Sequence, residues 1–330
     1  MSLCHNEALS VPSLDRILAA IHSHPRWSWA GLIAYAAAVT FPHEDVQWLA
    51  TKIGGLITHR RLYAISAGIT LVEAVALTWV LARRLHGQPG GRMIAGYWLL
   101  TIALIAGTWG VFTANNVELV HYPQYFPEGM ALAAMTLSPA ESMAWVVLFG
   151  CLDEGYQYAV LSSGRAVPFD FNDVYMDLLG GAAGMLVAMA FLQRGACDAS
   201  TRNWTPVLRR PGVMVILSIA ALGVLLWRLG LMLPFEDKST PRYWFALSRF
   251  RPQAFWILVH ANGPKYFHTL SPLEGPILIL ATIAAYMMLD RQIALAPPAT
   301  VRLPKPRASS RPAASRTPGP PSISPHRRNP

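Results

Sequence analysis

The chain has 330 residues, of which 53% are hydrophobic and 14% are charged, and its mean hydropathy is +0.33. This composition excludes an ordinary soluble domain and predicts a membrane protein that crosses the bilayer several times. The formal net charge of +9 does not indicate nucleic-acid binding, because residues 291–330 hold eight Lys or Arg and no acid. The remaining chain is close to neutral, so nucleic acid is not expected as a partner.

Residues 1–26 are expected to form a cytoplasmic segment at the membrane surface. They lack the basic, apolar and small-residue pattern of a cleavable signal peptide. Residues 11–21 place four apolar side chains on one helical face, which favours a helix lying on the membrane. These side chains are Leu14, Ile17, Leu18 and Ile21.

Residues 27–113 contain three apolar runs that are predicted to cross the membrane, which takes about 20 residues of helix. The first run is the shortest. The predicted spans are 27–41, 62–82 and 93–113. Between the first two, residues 46–57 have an amphipathic pattern that predicts a second helix on the membrane surface.

Residues 114–192 form a unit of three predicted spans that carry polar residues at one end. Cut by polarity alone, the apolar runs are too short to cross, but extended through their polar ends they reach membrane length. The spans are 117–137, 141–161 and 171–192. Between the first two, Ser138 and Glu141 have the spacing of a helix start.

Helical spacing gathers the polar residues of this unit onto one face of each helix. On the first helix the face carries Glu118, His121, Tyr125 and Glu128. On the second it carries Gly150, Glu154 and Gln157. On the third it carries Asp170, Asp173 and Asp177, followed by Gly180 and Gly184. The four-residue spacing of these glycines permits close helix packing.

Residues 193–290 hold the last two predicted spans, 212–233 and 273–290, separated by an outer loop at 234–272. The loop combines aromatic with basic side chains, and two interpretations stay open. It is an interfacial belt, or a lid whose arginines bind a phosphorylated lipid headgroup. Residues 291–330 form a basic tail rich in Pro and Ser, expected to be disordered and to meet anionic lipids or a specific partner.

The predicted fold class is an all-α bundle of about eight transmembrane helices with a disordered C-terminal tail. Lys and Arg in the loops at 83–92 and 193–211 and in the tail assign these three segments to the cytoplasm. Both termini are then cytoplasmic in a plasma-membrane protein, and the polar ends of the three middle helices face outward. Arg60 and Arg61 fall on the outer side, against this rule.

An unpaired charge inside hydrocarbon costs at least about 2.5 to 3.5 kcal/mol. His121, Glu154 and Asp177 should therefore face one another, water or a ligand, and we expect a polar cavity open to the outer leaflet. The alternative is that these groups are structural, at helix ends or in hydrogen bonds between helices. The three cysteines show neither disulfide nor metal-ligand spacing.

The order and spacing of these residues resemble the VanZ-like family of bacterial integral membrane proteins over residues 114–192. The matching positions are His121, Tyr125, Gly150, Glu154, Gln157, Arg165, Asp173, Asp177, Gly180 and Gly184. Val117 and Glu118 stand where the family has an acid and a lysine, and Asp177 stands where it has asparagine. The resemblance implies a small multi-helix envelope protein, linked through the founding member to lowered sensitivity to the glycopeptide teicoplanin.

Two functional hypotheses follow. In the first, the cavity binds or alters a lipid-linked envelope substrate, with Glu154 as general base and His121 as acid or as ligand of a divalent cation. The other residues of that binding site would be Glu118, Tyr125, Gln157, Arg165, Asp173 and Asp177. In the second, the protein is a scaffold or a small transport module whose acids and histidine carry protons or bind a cation. No phosphate loop, nucleophile elbow or HExxH helix is present, so an enzymatic role stays undecided.

Overall fold

Helices dominate the structure, a computed structural model that describes residues 13–57, 59–88, 90–114, 117–161, 169–192, 207–236, 243–248, 254–259 and 265–295. The α-helices in these ranges are α1 (Leu14–Ser23), α2 (Pro25–Thr40), α3 (His43–Ile57), α4 (His59–Leu85), α5 (Gly91–Phe112), α6 (His121–Thr136), α7 (Pro139–Tyr156), α8 (Phe171–Leu192), α9 (Pro211–Arg228) and α10 (Glu274–Leu295). A helix thus occurs at the position of each predicted span.

Four helices within the described ranges are long and apolar enough to cross a membrane. They are Ala64–Leu85, Gly91–Phe112, Phe171–Leu192 and Pro211–Arg228. The predicted span 171–192 coincides with α8 residue for residue. By contrast, α2 and α6 have only 16 residues each.

The predicted span 212–233 is wrong at its C-terminal end, because α9 stops at Arg228. Gly230 has a positive φ of 69°, the conformation with which glycine commonly ends a helix. Its N–H donates to the Trp227 carbonyl and that of Leu231 donates to the Leu226 carbonyl, which closes the last turn. Hydropathy alone does not register this stop signal.

The all-α expectation also needs correction, because four short strands lie between Met232 and Phe267. Met232–Phe235 (β1) pairs in parallel with Phe245–Ser248 (β2), and Ile257–Val259 (β3) pairs antiparallel with Lys265–Phe267 (β4). These residues are mainly aromatic and aliphatic, which fits a pleated, half-buried surface.

Two of the polar spans are also less regular than expected. Residues Val117–Val120 form a 3-10 turn before α6, and residues Gln157–Leu161 form a π-helical turn after α7. In the predicted tail, residues 291–295 continue α10, so they are helical rather than disordered. The remainder of the tail, 296–330, lies outside the described residues.

The centre of the bundle is α8. In an apolar stretch of 18 residues of α8, 94% of the residues are buried, against 6% in the corresponding stretch of α4. Glycines allow α6 and α8 to touch backbone to backbone. A Cβ atom at Gly129, Gly180 or Gly184 would overlap the main chain of the facing helix. The close packing predicted from Gly180 and Gly184 is confirmed.

One end of the bundle, here called the strand end, carries β1–β4. The described residues from Met232 to Leu270 are called the strand segment. The His268 N–H donates to the Val111 carbonyl at 2.8 Å, and the Phe169 N–H donates to the Leu247 carbonyl at 2.9 Å. The first of these bonds joins the strand segment to the last turn of α5. The second joins β2 to the chain just before α8.

The opposite end of the bundle is closed by α1 and by two carboxylates that cap helix starts. The Asp290 carboxylate accepts from the Ala140 N–H at 2.9 Å, and Glu141 accepts from the Gly212 N–H at 2.8 Å. The predicted surface helix is present as α1, but it packs inward through Leu18, which is fully buried, while Ile17 is exposed. The predicted start of α7 is confirmed, since the Ser138 hydroxyl accepts from the Glu141 N–H at 3.2 Å.

Candidate functional site

The polar faces of α6, α7 and α8 meet near the strand end in a buried cluster of acids around one histidine. His121 and Glu154 are each 3% exposed and Asp177 is 0% exposed. Sequence analysis expected an open cavity, but in this structure the side chains are packed against one another. Asp173, whose side chain is 14% exposed, lies at an edge of the cluster.

The imidazole of His121 lies between two carboxylates of α8. Its Nδ1 is 2.8 Å from Asp177 Oδ1, and its Nε2 is 3.5 Å from Asp173 Oδ2. These two acids are four residues apart and therefore lie on the same face of α8. Both ring nitrogens are thus oriented by a carboxylate, which fixes the plane of the ring.

Glu154 is held by groups from two different segments. Its Oε1 accepts a hydrogen bond from Gln157 Nε2 at 2.8 Å, and its Oε2 accepts from the Asp170 N–H at 3.3 Å. Gln157 is the first residue of the π-helical turn, and such turns are frequent at functional sites. Asp170 in turn accepts from the Asn172 N–H at 2.9 Å and so orders the start of α8.

Two further acids extend the cluster along α6 and α7. The Tyr125 hydroxyl donates to Asp153 Oδ2 at 3.4 Å. Asp153 is 1% exposed and Glu128 is 2% exposed. Glu128 was found on the predicted polar face but was not assigned to the site. Asp153 was not assigned either, although it lies three residues after Gly150 and four before Gln157.

Three buried carboxylate oxygens of this cluster have no hydrogen-bond partner. They are Asp177 Oδ2, Asp153 Oδ1 and Glu128 Oε1. A Cβ atom added at Gly150 would lie 2.8 Å from Asp177 Oδ2, so the absence of a side chain at Gly150 leaves just enough space for that oxygen. Unpaired oxygens of this kind are rare in folded proteins and call for an explanation.

Glu118 lies at the margin of the cluster rather than beside His121. Its carboxylate accepts from the Ala114 N–H. It also lies near Lys265 of β4, whose Nζ donates to Thr113 Oγ1 at 2.8 Å. Burial lowers the pKa of Lys265, and the Glu118 carboxylate acts in the opposite direction. Arg165 lies outside the described residues, as do the loop arginines Arg242, Arg249 and Arg251.

The charges of the cluster do not balance. Six acids, Glu128, Asp153, Glu154, Asp170, Asp173 and Asp177, surround one imidazole. Within the described ranges, no Lys or Arg side chain pairs with any of them. In the same ranges, no three His, Cys, Asp or Glu side chains are arranged to hold a metal ion. The divalent cation that the sequence suggested stays a prediction.

Asn172 is a structural residue that the sequence analysis missed. Its Nδ2 donates to the carbonyls of Phe112 at 3.0 Å and His268 at 2.8 Å, and its Oδ1 accepts from the Leu270 N–H at 2.7 Å. One side chain thus joins the end of α5, the start of α8 and the strand segment. Its partners are distant in sequence, so no local pattern could have indicated this role.

Comparisons with protein-family models, with curated proteins and with solved structures find no match to this chain. The family resemblance therefore stays a prediction, and functional conclusions rest on the residues described above.

Proposed function

We propose that this chain is a VanZ-like protein of the bacterial plasma membrane that crosses it eight times and has both termini in the cytoplasm. The eight crossings would be α2 and α4 to α10. The proposal is supported by helices at all the predicted positions. It is also supported by the proximity of His121, Glu154, Asp173 and Asp177, which are four of the polar positions of the resemblance. In this orientation the strand end faces outward.

The function that the geometry favours is proton binding from the outer side, as part of a small proton-coupled module. The observation that carries this proposal is the set of three buried carboxylate oxygens without a partner. Several unpaired carboxylates in a low-dielectric interior would each cost several kcal/mol. Neutral carboxylic acids avoid this cost, so some acids of the cluster carry a proton while the cluster is closed.

A second candidate is the binding of a lipid-linked envelope substrate, with a role in glycopeptide tolerance. The observation that favours it is the position of Asp173, a partly exposed acid, on the side that carries the strands. Aromatic side chains there are exposed, with Trp244 at 73% and Tyr266 at 63%, as expected for groups that meet lipid headgroups. Glu154 would be the general base and His121 the acid.

Infrared spectroscopy of the full-length protein in lipid nanodiscs tests the first proposal, because protonated carboxyl groups and carboxylates absorb at different frequencies. We expect a protonated-carboxyl band at neutral pH that weakens in Glu128→Gln and in Asp153→Asn. Asp45→Asn is the matched control, since Asp45 is exposed on α3 and its replacement should leave the band unchanged.

A wild-type spectrum without a protonated-carboxyl band would contradict the proposal, as would a band that neither cluster variant reduces. The same preparation separates the two candidates by native mass spectrometry. A lipid-linked precursor that co-purifies with the wild-type protein and is lost in Glu154→Gln would favour the second candidate.

A further inference from the structure

Three groups of the cluster form a continuous path of decreasing exposure. The side chain of Asp173 is 14% exposed, that of His121 is 4% exposed and that of Asp177 is 0% exposed. Imidazole is the side chain best suited to accept a proton on one nitrogen and release it from the other near neutral pH. Here the two ring nitrogens face different carboxylates, at 3.5 Å and 2.8 Å.

We propose that His121 transfers protons between Asp173 at the edge of the cluster and Asp177 inside it. This inference rests on the proposed proton binding and assigns the route by which protons enter. Asp173 is the entry group, His121 the transfer group and Asp177 the first interior acceptor.

The transfer balances in protons and charge. The O–H bond of protonated Asp173 breaks as a proton passes to His121 Nε2, and the N–H bond at Nδ1 breaks as its proton passes to Asp177 Oδ1. Asp173 becomes a carboxylate, Asp177 becomes a neutral acid, and the imidazole stays neutral with its proton moved to Nε2. Release of the proton by the reverse route restores the first tautomer.

The surroundings of His121 favour transfer over a purely structural ion pair. A structural histidine needs one carboxylate, whereas this ring contacts both Asp173 and Asp177 of α8. Glu154 of α7 and Asp170 before α8 are near enough to interact with it electrostatically. The second oxygen of Asp177 has no partner and lies against Gly150. Asp177 Oδ1, at 2.8 Å from Nδ1, is the oxygen that receives the proton, and Oδ2 takes no part in the contact with His121.

A stopped-flow pH jump on the full-length protein in nanodiscs, with a pH dye in the surrounding solution, tests the route. The wild-type protein should take up protons in a fast phase. In Asp173→Asn and His121→Ala that phase should slow by about 100-fold, the lower end of what a positioned proton-transfer group contributes. Added imidazole should restore the fast phase in His121→Ala by occupying the vacated ring position, but not in Asp173→Asn.

Two further variants make the result specific. His121→Gln keeps hydrogen-bonding atoms towards both carboxylates without a basic nitrogen, so it should fold and still show the slow phase. His24→Gln, at an exposed histidine in the opposite half of the chain's helical bundle, should behave as the wild-type protein does.

The outcomes distinguish this route from the proposed function beneath it. An unchanged uptake rate in Asp173→Asn or in His121→Gln would overturn the route while leaving proton binding intact. No proton uptake by the wild-type protein would overturn proton binding itself. If the role of His121 were purely structural, His121→Ala would lower the thermal stability of the protein, and added imidazole would not restore the fast phase selectively. That result would overturn the route.

Discussion

At the scale of single residues, Gly150 is the position at which α7 approaches the Asp177 carboxylate of α8 most directly. A Cβ atom there would lie 2.8 Å from Asp177 Oδ2, which is closer than real Cβ atoms approach other heavy atoms. The glycine therefore sets the distance between α7 and the carboxylate of α8. Because Asp177 also contacts His121, a change at Gly150 should reach the whole cluster.

We predict that Gly150→Ala destabilises the protein by about 1 to 3 kcal/mol, the usual cost of overpacking a buried site. Thermal unfolding in detergent measures this. Gly155→Ala is the matched control on the same helix, since a Cβ there would meet no atom within 4 Å. It should be neutral or gain up to about 1 kcal/mol from the better helix propensity of alanine. Equal unfolding temperatures for the two variants would show that Asp177 has more freedom than the structure indicates.

Sequence spacing could identify the residues that share a polar face with others on the same helix. His121, Glu154, Asp173 and Asp177 belong to this class, because helical periodicity and the cost of a buried charge are both readable from the chain. Their mutual distances were not readable, since these depend on the glycine contacts between α6 and α8. The sequence therefore predicted a cavity open to the outside, whereas the side chains of His121, Glu154 and Asp177 are buried.

At the scale of elements, the strand segment is held to the helices mainly through its own backbone N–H and carbonyl groups. Tyr158 OH donates to the Ala246 carbonyl at 2.5 Å, and the Phe169 N–H donates to the Leu247 carbonyl at 2.9 Å. These bonds position β2 beside the segments that flank the acidic cluster, at 158 and 169. Such contacts use carbonyl groups that every residue has, so side-chain patterns could not predict them.

We predict that Asn172→Ala loosens the strand segment without unfolding the bundle. The substitution removes three hydrogen bonds, each worth about 0.5 to 1.5 kcal/mol net, and leaves the buried Leu270 N–H unpaired. Hydrogen exchange followed by mass spectrometry should show faster exchange at His268 and Leu270, with α9 unchanged. Asn172→Asp keeps the acceptor for Leu270 and should give an intermediate rate.

Two other results of the exchange experiment would contradict this prediction for Asn172→Ala. Uniformly faster exchange across all helices would mean that Asn172 stabilises the bundle as a whole. Unchanged exchange at residues 268–270 would mean that the remaining contacts of β4, including Lys265 with Thr113, suffice to hold the segment.

At the scale of the whole molecule, apolar surface and side-chain contacts both fit a membrane-embedded bundle of alternating helices. Ile65, Ile69 and Val72 of α4 are more than half exposed, and a continuous apolar face of this kind needs lipid or protein against it. At the end of α2, the ring of Phe41 lies 5.4 Å from that of Tyr156 at the end of α7. Near their starts, Trp29 and Trp145 are 5.0 Å apart, so α2 and α7 run in the same direction.

The parallel arrangement of α2 and α7 bears on Arg60 and Arg61, the two basic residues that do not follow the charge rule. Eight alternating crossings require α2 and α7 to run in the same direction, because both would leave the cytoplasm, and the ring contacts agree with that requirement. Arg60 and Arg61 remain on the outer side in this arrangement. They lie at the start of α4 directly after α3, whose exposed Trp48 and Leu49 suit a helix at the membrane surface, where arginine side chains reach the headgroups.

The last prediction concerns orientation and uses two sites of nearly equal exposure, Tyr266 at 63% and Leu208 at 59%. In a background without the native cysteines, Tyr266→Cys should react with a membrane-impermeant thiol reagent on intact cells, because the proposed orientation places β4 on the outer side. Leu208→Cys should react only after the cells are permeabilised, because the proposed orientation places the basic segment before α9 in the cytoplasm. Trp48→Cys should react like Tyr266→Cys if α2 crosses the membrane, and like Leu208→Cys if α2 and α3 both stay on the inner surface. Labelling of Leu208→Cys alone on intact cells would reverse the orientation and make the acidic cluster accessible from the cytoplasm.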